Sequence, residues 1–583
     1  MGWEKRRILN QVEQLINSTS AALERLGYSN EWTSEQLWDA VFRGRTGVEC
    51  MSLDSMYDEG RLYQDANGTT PVTGVEQPVG LMLDGSQRQR LGPELVTNGD
   101  FSDGATGWST AGTVESGRVT VEATGVSRAL FKQEIQSNSA PVGSLYWLQY
   151  DVVENTLQPS TGNIIAVHND SDFRLLRSTQ LPSAVGTHRA LVKRVGDTSG
   201  GLYVFLSSQQ ASGSITVDNI SLRETYGYHP YQPADINSPV LSARVNGFKN
   251  TEDISANTWG KYSNATVTGT NVLNLPDVNS RLSYYWYTPA PVGTTAKLSM
   301  VLSGTGSITL RLARNYADGP LEFTDRKIDL TSTPTRYDVE HTMQYENQTG
   351  YQLQLVRLSN DTATQVTVTK ADLRYTNDGV DLPEYQRVGD VDANPADYDW
   401  QNFPLYLAFN GTNQYLKVTG MQPEVDEVFV SAAIRKESDE SNTALIELSN
   451  NYITNDYVFQ LAAPSSSVNR SYRMASKGTI GENSGPILSK YAAPTSNVVT
   501  GISSISGNIC LVRVDGVQEA LGTDDQGVDG NYGNYNLYIG SRAGTSMFYK
   551  GRLYGILLVF DNPADTIITT IERELNRKAK IYA

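Results

Sequence analysis

The chain has 583 residues, enough for three or four domains, with a net charge of −17 at pH 7. This acidity argues against nucleic acid or an anionic membrane surface as partner, because both attract basic surfaces. Only two cysteines and four scattered histidines are present, which excludes a disulfide framework and a clustered zinc site. The sequence contains no run of 18 apolar residues, so it predicts no membrane-spanning helix.

The first predicted element is a helix over residues 8–26. Its apolar residues recur in alternating steps of three and four, which is the spacing of a coiled-coil seam. The seam consists of Leu9, Val12, Ile16, Leu23 and Leu26. Such a short helix must pack on something, either the next domain of its own chain, symmetry mates or another protein. A second short helix follows from Thr33 to Phe42, and we interpret residues 1–45 as a helical region for anchoring or oligomerisation.

Residues 46–92 show no strong apolar period and are predicted to form an extended connector. Within them, residues 62–84 (LYQDANGTTPVTGVEQPVGLMLD) resemble a segment that recurs in structural proteins of tailed bacteriophages. In those proteins the segment precedes sandwich domains similar to sugar-binding ones. The resemblance implies that this chain is a virion structural protein with the same kind of domain.

The middle of the chain contains one stretch of about 150 residues twice. Residues 215–223 (ITVDNISLR) align with residues 366–374 (VTVTKADLR), and Trp108 aligns with Trp259 at the same offset. A period this long indicates a duplicated domain rather than a solenoid unit. Apolar alternation in these segments favours strands, so we predict two antiparallel jelly-roll β-sandwiches, at residues 93–226 and 238–388.

The ends of the two repeats also carry a family resemblance. Residues 94–101 (ELVTNGDF) and the closing strand at 217–222 (VDNISL) resemble carbohydrate-binding jelly-roll modules that accompany glycosidases and occur in phage proteins. The opening of the second repeat at 250–259 and its end at 382–388 resemble jelly rolls of phage fibre and tail proteins. The resemblance implies host-surface polysaccharide as a ligand class.

Residues 400–583 are predicted to form a third and different β-sandwich with a C-terminal helix. The segment 405–416 resembles the opening strand pair of laminin-G or concanavalin-like sandwiches, and 535–541 and 548–560 resemble their last two strands. Residues 511–517 predict a hairpin with a two-residue Asp-Gly turn. From residue 565 onward, Ile568, Ile571, Leu575 and Ala579 share one helix face.

Aromatic clusters are the candidate ligand-binding residues, because aromatic rings stack on the C–H faces of sugar rings. They are Tyr146 and Trp147 in the first repeat and Tyr284, Tyr285, Trp286 and Tyr287 in the second. A consecutive run in a strand must send residues to both faces of the sheet, so one or two of the second set should be exposed. The alternative interpretation is that these rings pack in a core or a subunit contact.

Related sugar-binding jelly rolls often hold a structural calcium ion between the opening loop and the last strand. Asp100 and Asp218 match that placement in the first repeat, whereas the second repeat has Thr369 at the second position. The resemblance therefore implies calcium in the first repeat only, and carboxylate oxygens are suitable ligands for it. Capping of a turn by either aspartate is the alternative interpretation.

No motif of a known catalytic centre is present, so we expect no catalytic residues, no enzyme activity and no cofactor other than that calcium. The interpretation is a mainly β virion protein, made in the host cytoplasm, that forms a homotrimer. It would contact other virion proteins through its N-terminus and serve as a tail fibre, appendage or head-decoration protein for host attachment. A polysaccharide depolymerase tailspike and a bacterial surface adhesin are the alternatives.

Overall fold

Antiparallel β-strands build most of the protein, as the sequence predicts. The computed structural model describes residues 34–87, 91–109, 112–122, 129–135, 144–158, 165–168, 181–193, 202–208, 212–288, 291–316, 322–345, 348–390, 397–466, 470–484 and 490–582. The predicted seam at Leu9, Val12, Ile16, Leu23 and Leu26 lies outside these ranges. The helices in the described ranges are α1 (Ser34–Phe42), α2 (Leu53–Asp58) and α3 (Asp565–Ala579). None of them is long and apolar enough to cross a membrane.

The segment 47–83 contains four short strands, of which β2 and β4 pair with each other and β1 and β3 pair with distant parts of the chain. These strands are β1 (Gly47–Cys50), β2 (Leu62–Tyr63), β3 (Gln77–Pro78) and β4 (Leu81–Met82). In β1, Gly47 lies opposite Val559, and in β3, Gln77 lies opposite Leu241. The prediction that residues 46–92 form an extended connector is therefore wrong. Strands of two to four residues are too short to give an apolar period that sequence analysis can detect.

The next part of the chain, here called module one (residues 91–225), is an antiparallel sandwich. Its strands are β5 (Thr113–Glu115), β6 (Arg118–Glu122), β7 (Ala129–Ile135), β8 (Leu145–Asn155), β9 (Ile165–His168), β10 (Gly186–Lys193), β11 (Leu202–Ser208) and β12 (Ser214–Thr225). One sheet has the order β10-β8-β12-β6-β5, and the other has the order β7-β11-β9. Strand β12 is thus the central strand of the larger sheet.

Strand β13 (Val240–Ser242) separates module one from module two (residues 246–387). The strands of module two are β14 (Gly260–Tyr262), β15 (Thr266–Thr268), β16 (Val272–Asn274), β17 (Arg281–Trp286), β18 (Thr295–Gly304), β19 (Ser307–Tyr316), β20 (Phe323–Asp329), β21 (Thr335–Thr342), β22 (Gln348–Val356) and β23 (Gln365–Tyr375). They form two sheets with the orders β15-β16-β23-β18-β21 and β14-β17-β22-β19-β20.

The two modules share one topology. The order β5-β6-β12-β8-β10 of module one corresponds strand by strand to β15-β16-β23-β18-β21 of module two, and β7-β11-β9 corresponds to β17-β22-β19. Local contacts repeat as well, because Trp108 Nε1 donates to the carbonyl of Asn98 and Trp259 Nε1 donates to that of Asn250, both at 3.1 Å. The shared strand order and shared contacts are those expected of a duplicated domain.

The last part of the chain forms most of a third sandwich. Its strands are β24 (Tyr406–Asn410), β25 (Leu416–Val418), β26 (Glu427–Lys436), β27 (Ala444–Leu448), β28 (Val458–Ala462), β29 (Arg473–Lys477), β30 (Glu482–Ser484), β31 (Thr495–Ser504), β32 (Ile509–Val514), β33 (Val517–Gly522), β34 (Leu537–Ile539) and β35 (Lys550–Val559). The larger sheet has the order β3-β13-β24-β35-β26-β31-β32-β33, with β1 also on β35. The smaller has the order β25-β34-β27-β28-β29-β30.

This third sandwich is therefore completed by strands from residues 47–83 and 240–242, and we call the whole unit the central sandwich (residues 34–83, 226–245 and 397–582). Nine side chains from the first segment belong to its core: Val48, Cys50, Leu53, Met56, Leu62, Val72, Val75, Val79 and Met82. Modules one and two are insertions into it. Their ends are held together, since Gly92 N donates to Glu224 O at 2.8 Å and Asn246 Nδ2 donates to Gln386 O at 2.9 Å.

Candidate functional site

The candidate site is the outward face of the sheet β14-β17-β22-β19-β20 in module two. The run of four aromatic residues predicted to matter lies at the end of β17, where successive side chains point to opposite faces. Tyr284 and Trp286 point inward, whereas Tyr285 and Tyr287 point outward. The expectation that the run reaches both faces agrees with this geometry.

The two inward rings belong to the core of module two. Tyr284 packs against Phe248 and Trp259, with ring centroids 4.6 and 4.9 Å away, and its Oη accepts a hydrogen bond from a backbone N–H. Trp286 lies 4.6 Å from the ring of Tyr375 and 6.0 Å from that of Tyr351. Tyr284 is therefore a buried packing residue, and Trp286 is a partly buried one that packs against the same core.

The outward rings form an exposed aromatic platform. Tyr285 and Tyr287 are stacked, with centroids 5.9 Å apart and an interplanar angle of 13°. Tyr287 is 70% exposed, and Tyr262 on the neighbouring strand β14 is 38% exposed. The guanidinium of Arg281 lies 4.7 Å from the centroid of Tyr262, an arrangement that holds this ring against the sheet. Three tyrosines thus share one accessible surface.

A row of polar side chains continues this face across the sheet. Gln352 lies opposite Tyr285, and Gln354 lies opposite Ser283 on one side and Arg311 on the other. Arg311 is bound to Asp325 on β20 through two hydrogen bonds of 2.6 and 2.9 Å, so its charge is neutralised. The amides of both glutamines can donate and accept, which makes the row suitable for paired hydrogen bonds to hydroxyl groups.

Two polar atoms beneath the platform lack a partner among the described residues. Ser283 Oγ is buried with no hydrogen bond, and so is Arg281 Nε. Buried polar groups are normally hydrogen-bonded, so unpaired atoms at a surface of this kind mark a place where water or a ligand completes the set. The face as a whole offers flat aromatic rings and hydrogen-bonding groups.

Sequence reasoning missed Tyr262, Gln352, Gln354 and Arg311. The signal that could have found the glutamines is the strict alternation in residues 351–355 (YQLQL), where one face is polar and the other is buried. Tyr262 comes from a separate short strand, and its pairing with β17 depends on tertiary structure alone.

In module one the predicted aromatic pair is also divided between two faces. Tyr146 is fully buried in the core, so this predicted ligand contact is a packing residue. Trp147 points outward, with the guanidinium of Arg189 at 4.0 Å from its ring centroid. It packs beside Leu145 and Leu191 where module one meets the central sandwich, so this ring takes part in a junction between domains.

The predicted calcium ligands of module one lie at the opening loop and at the last strand. The loop does contact that strand, since Ile220 N donates to Gly99 O at 2.9 Å. Asp100 Oδ1 accepts from Ser102 Oγ at 3.0 Å, Asp218 Oδ1 accepts from Asn219 N at 2.7 Å, and Arg118 approaches Asp218. Among the described residues, no group of three or more His, Cys, Asp or Glu side chains could hold a metal ion. Turn capping and an arginine thus account for both carboxylates, and calcium at this site stays a prediction.

A second polar surface lies on the smaller sheet of the central sandwich, around a cavity of about 400 Å³. Glu482 lines this cavity, and a second carboxylate, Glu447, lies behind the lining residues Gln460 and Arg542. Glu447 is fully buried and accepts from Arg542 at 3.0 Å and from Gln460 at 2.7 Å. Glu482 contacts Arg473 and accepts from Tyr452 Oη at 2.9 Å. Each carboxylate is thus paired with an arginine.

No protein-family model and no curated protein matches the chain. Similar solved structures include the CBM22-1-CBM22-2 tandem of Paenibacillus barcinonensis Xyn10C, at 11% identity and a TM-score of 0.19, covering 50% of this chain and 99% of that one. The Ruminococcus gnavus IT-sialidase CBM40 bound to α2,6 sialyllactose matches at 15% identity and a TM-score of 0.20, covering 25% and 84%. Streptococcus pneumoniae NanB sialidase matches at 16% and 0.22, covering 28% of this chain and 27% of its own length. Similarity at this level carries no information about the ligand or activity of this chain.

Proposed function

We propose that this protein binds carbohydrate on the outward face of module two, and that it does so as a structural component of a bacteriophage virion. The observation that carries the binding proposal is the platform of Tyr262, Tyr285 and Tyr287 beside Gln352 and Gln354. The virion assignment covers a tail fibre, an appendage or a head-decoration protein, assembled after synthesis in the host cytoplasm.

The chemistry of the platform favours a neutral sugar chain. Each tyrosine presents a flat apolar face, which suits the C–H face of a pyranose ring, together with a hydroxyl that can hydrogen-bond at its edge. The two glutamines lie one strand further into the sheet and can bind neighbouring hydroxyl groups in pairs. Arg311 is already paired with Asp325, so its charge is not available to an acidic group.

Virion membership is supported by the resemblance of residues 62–84 to phage structural proteins, and the fold gives that segment a role. Asp65 accepts from Thr69 and Thr70 and so fixes a tight loop. A methyl group at Gly68 would approach Leu191 of module one within 2.3 Å, so the loop touches the inserted module closely. The segment thus joins the central sandwich to module one.

A single face of this kind binds weakly, so attachment would depend on several copies acting together. We propose a homotrimer, anchored through residues 8–26 to its own copies and to other virion proteins. Linked sites multiply weak contacts, since after the first has bound, the others act at millimolar effective concentration.

The alternative is a polysaccharide depolymerase, and the carboxylates around the central-sandwich cavity are where its chemistry would have to lie. Glycoside hydrolysis needs one of two carboxylates protonated as an acid. Glu447 and Glu482 are each already paired with an arginine, Arg542 and Arg473. Release of reducing ends from host capsule by the purified chain, with loss of release in Glu447→Gln, would favour the depolymerase.

The binding proposal is tested with the double substitution Tyr285→Ala and Tyr287→Ala. Affinity electrophoresis in gels that contain host polysaccharide should show the wild-type chain retarded and the variant moving freely, with binding weakened about 10-fold or more. The control is Val528→Ala, which removes a similarly exposed apolar side chain of the central sandwich, outside both proposed sites. Equal retardation of the wild-type chain and the double variant on every polysaccharide that binds would contradict the proposal.

A further inference from the structure

A cavity of about 590 Å³ lies where module one meets the central sandwich. Its floor is the last rung of the larger sheet of module one, formed by Lys193, Leu145 and Thr225 on three adjacent strands. Its wall comes from the chain that leaves module one, with Tyr226 and Tyr231 among the lining residues. A cavity of this size accommodates one sugar ring or a similar small molecule.

Lys193 is a buried cation without a carboxylate partner. It is only 9% exposed, its Nζ donates to Ala66 O at 3.0 Å, and the ammonium lies 3.9 Å from the ring centroid of Tyr231. In the described part of the chain it forms no ion pair. Buried charges are normally paired because the loss of hydration costs several kcal/mol. An ammonium has three N–H donors, so Lys193 keeps donor capacity toward the cavity.

Thr225 adds a second group that lacks a partner. Its side chain is 4% exposed, and Oγ1 forms no hydrogen bond with the residues that the structure describes. A hydroxyl buried in this way loses its hydration without compensation, which is unfavourable unless something else binds it. The ammonium of Lys193 and the hydroxyl of Thr225 flank Leu145 on the same face, so one ligand can reach both.

The duplicated module provides an internal comparison. The equivalent rung of module two is formed by Thr342, Thr295 and Thr376, by the same strand register. There Thr295 Oγ1 lies 2.7 Å from Thr342 Oγ1, and Thr376 Oγ1 donates to Thr295 O at 3.2 Å. The side-chain hydroxyl groups of this rung are therefore hydrogen-bonded within the rung, and none of its three residues is charged. The buried cation and the unpaired hydroxyl are therefore particular to module one and are not a requirement of the fold.

We propose that this junction cavity binds a small sugar that carries a carboxylate, such as a uronic or sialic acid unit. The carboxylate would pair with Lys193 and accept from the Thr225 hydroxyl, and Tyr226 would provide an apolar surface for the ring. This site is separate from the platform on module two, so either binding proposal can be contradicted by experiment without affecting the other.

The charges around Lys193 predict how binding depends on pH. Burial lowers the pKa of Lys193 to about 8, although Asp235 and Asp65 nearby raise it. His229, also at the cavity, has its pKa lowered to about 4 by burial and is neutral above pH 6. The Glu224 carboxylate and the Tyr231 ring also line the cavity. Affinity for a carboxylate should therefore fall between pH 7 and pH 9, as Lys193 loses its proton.

The experiment is calorimetric titration of the full chain with glucuronic acid and N-acetylneuraminic acid, with glucose and inorganic phosphate as comparison ligands. At pH 7 at least one acid should bind about 10-fold or more tightly than glucose, and that binding should weaken at pH 9. Lys193→Met keeps the apolar stem and should abolish the preference for the acid. Lys297→Met is the control, since it removes a half-exposed lysine of module two.

Thr225→Val is a second test variant, which keeps the proposal testable if Lys193→Met fails to fold. Because the Thr225 hydroxyl has no partner among the residues that the structure describes, its removal should leave the melting temperature nearly unchanged while weakening acid binding several-fold. The proposal is overturned if neither acid binds, if glucose or phosphate binds as well as the acids, or if Lys193→Met and Thr225→Val retain wild-type affinity. Loss of polysaccharide retardation in the platform variant would not change any of these results.

Discussion

At the scale of single residues, the sequence predicted that the run from Tyr284 to Tyr287 reaches both faces of a sheet, but it did not predict which residues face outward. That assignment depends on where β17 starts relative to its partner, and a shift of one residue exchanges the two faces. The register of β17 against β22 places Leu282 and Tyr284 on the core side. Alternation alone could not supply that register.

The division between inward and outward rings can be tested by stability. Trp286→Ala should lower the free energy of unfolding by about 3 kcal/mol, since it leaves a cavity between Tyr351 and Tyr375. Tyr287→Ala should change it by less than about 0.5 kcal/mol, because the ring is largely exposed. Chemical denaturation of both variants measures these values. Similar losses in the two variants would show that Tyr287 is also a packing residue.

Two buried titratable groups meet where the chain enters and leaves module one. Asp84 accepts from the backbone N–H of Glu49 and of Tyr228, and the backbone N–H of Asp84 donates to His229 Nδ1 at 3.0 Å. Burial raises the pKa of Asp84 to about 6 and lowers the pKa of His229 to about 4. Both shifts arise from the loss of hydration, and they act in opposite directions on stability.

The signs follow from proton linkage between pH 4 and pH 6. Folded Asp84 holds more proton than the unfolded chain, so its contribution to stability is present at low pH and is lost as pH rises through 6. Folded His229 holds less proton than the unfolded chain, so its contribution falls as pH drops from 6.5 toward 4. The two contributions largely cancel in the wild-type chain.

Asp84→Asn removes one side of this balance. The free energy of unfolding of the variant should then gain a slope of up to about +1.4 kcal/mol per pH unit between pH 4 and pH 6, relative to the wild-type chain. Denaturation at several pH values measures the slope, and Asp103→Asn, at an exposed loop position, is the control. Parallel curves for wild-type chain and Asp84→Asn would contradict the burial argument.

At the scale of elements, local signals predicted the regions with long or regular elements well. The hairpin at β32 and β33 has the expected two-residue turn, with positive φ at Asp515 and Gly516. In α3, the predicted face of Ile568, Ile571, Leu575 and Ala579 is buried against the larger sheet of the central sandwich. Each of these signals is contained within about 15 residues, so no distant partner had to be known.

The elements that sequence analysis missed are those whose partners lie far along the chain. β1 pairs with β35 across more than 500 residues, and β3 pairs with β13 across an entire inserted module. Two-residue strands such as β2 and β4 give no period at all. Such pairing depends on the tertiary fold. A segment whose sequence pattern predicts a linker can therefore supply strands and core residues.

At the scale of the whole molecule, the order of domains along the chain differs from their order in space. Residues 47–83 and 397–582 build one core, and both jelly rolls are inserted into it rather than placed in series before it. Because each insertion is held at both ends, the modules are fixed to the central sandwich by two chain crossings. A ligand surface on an insertion of this kind is held in a defined orientation, which favours simultaneous contacts by several copies.

Because modules one and two are inserted into the central sandwich, we can predict which parts of the chain can be removed without unfolding it. Replacing residues 92–224 by a short Gly-Ser linker should leave the central sandwich folded, since Leu91 and Thr225 are already paired at the base of module one. Deleting residues 1–83 should unfold it, since β1 to β4 and the nine core side chains are lost. Thermal unfolding by circular dichroism measures both. The deletion of residues 1–83 is the deciding variant. If residues 46–83 were an extended connector, the shortened chain would still unfold cooperatively. If they are part of the core, cooperative unfolding is lost even though residues 397–582 are all present.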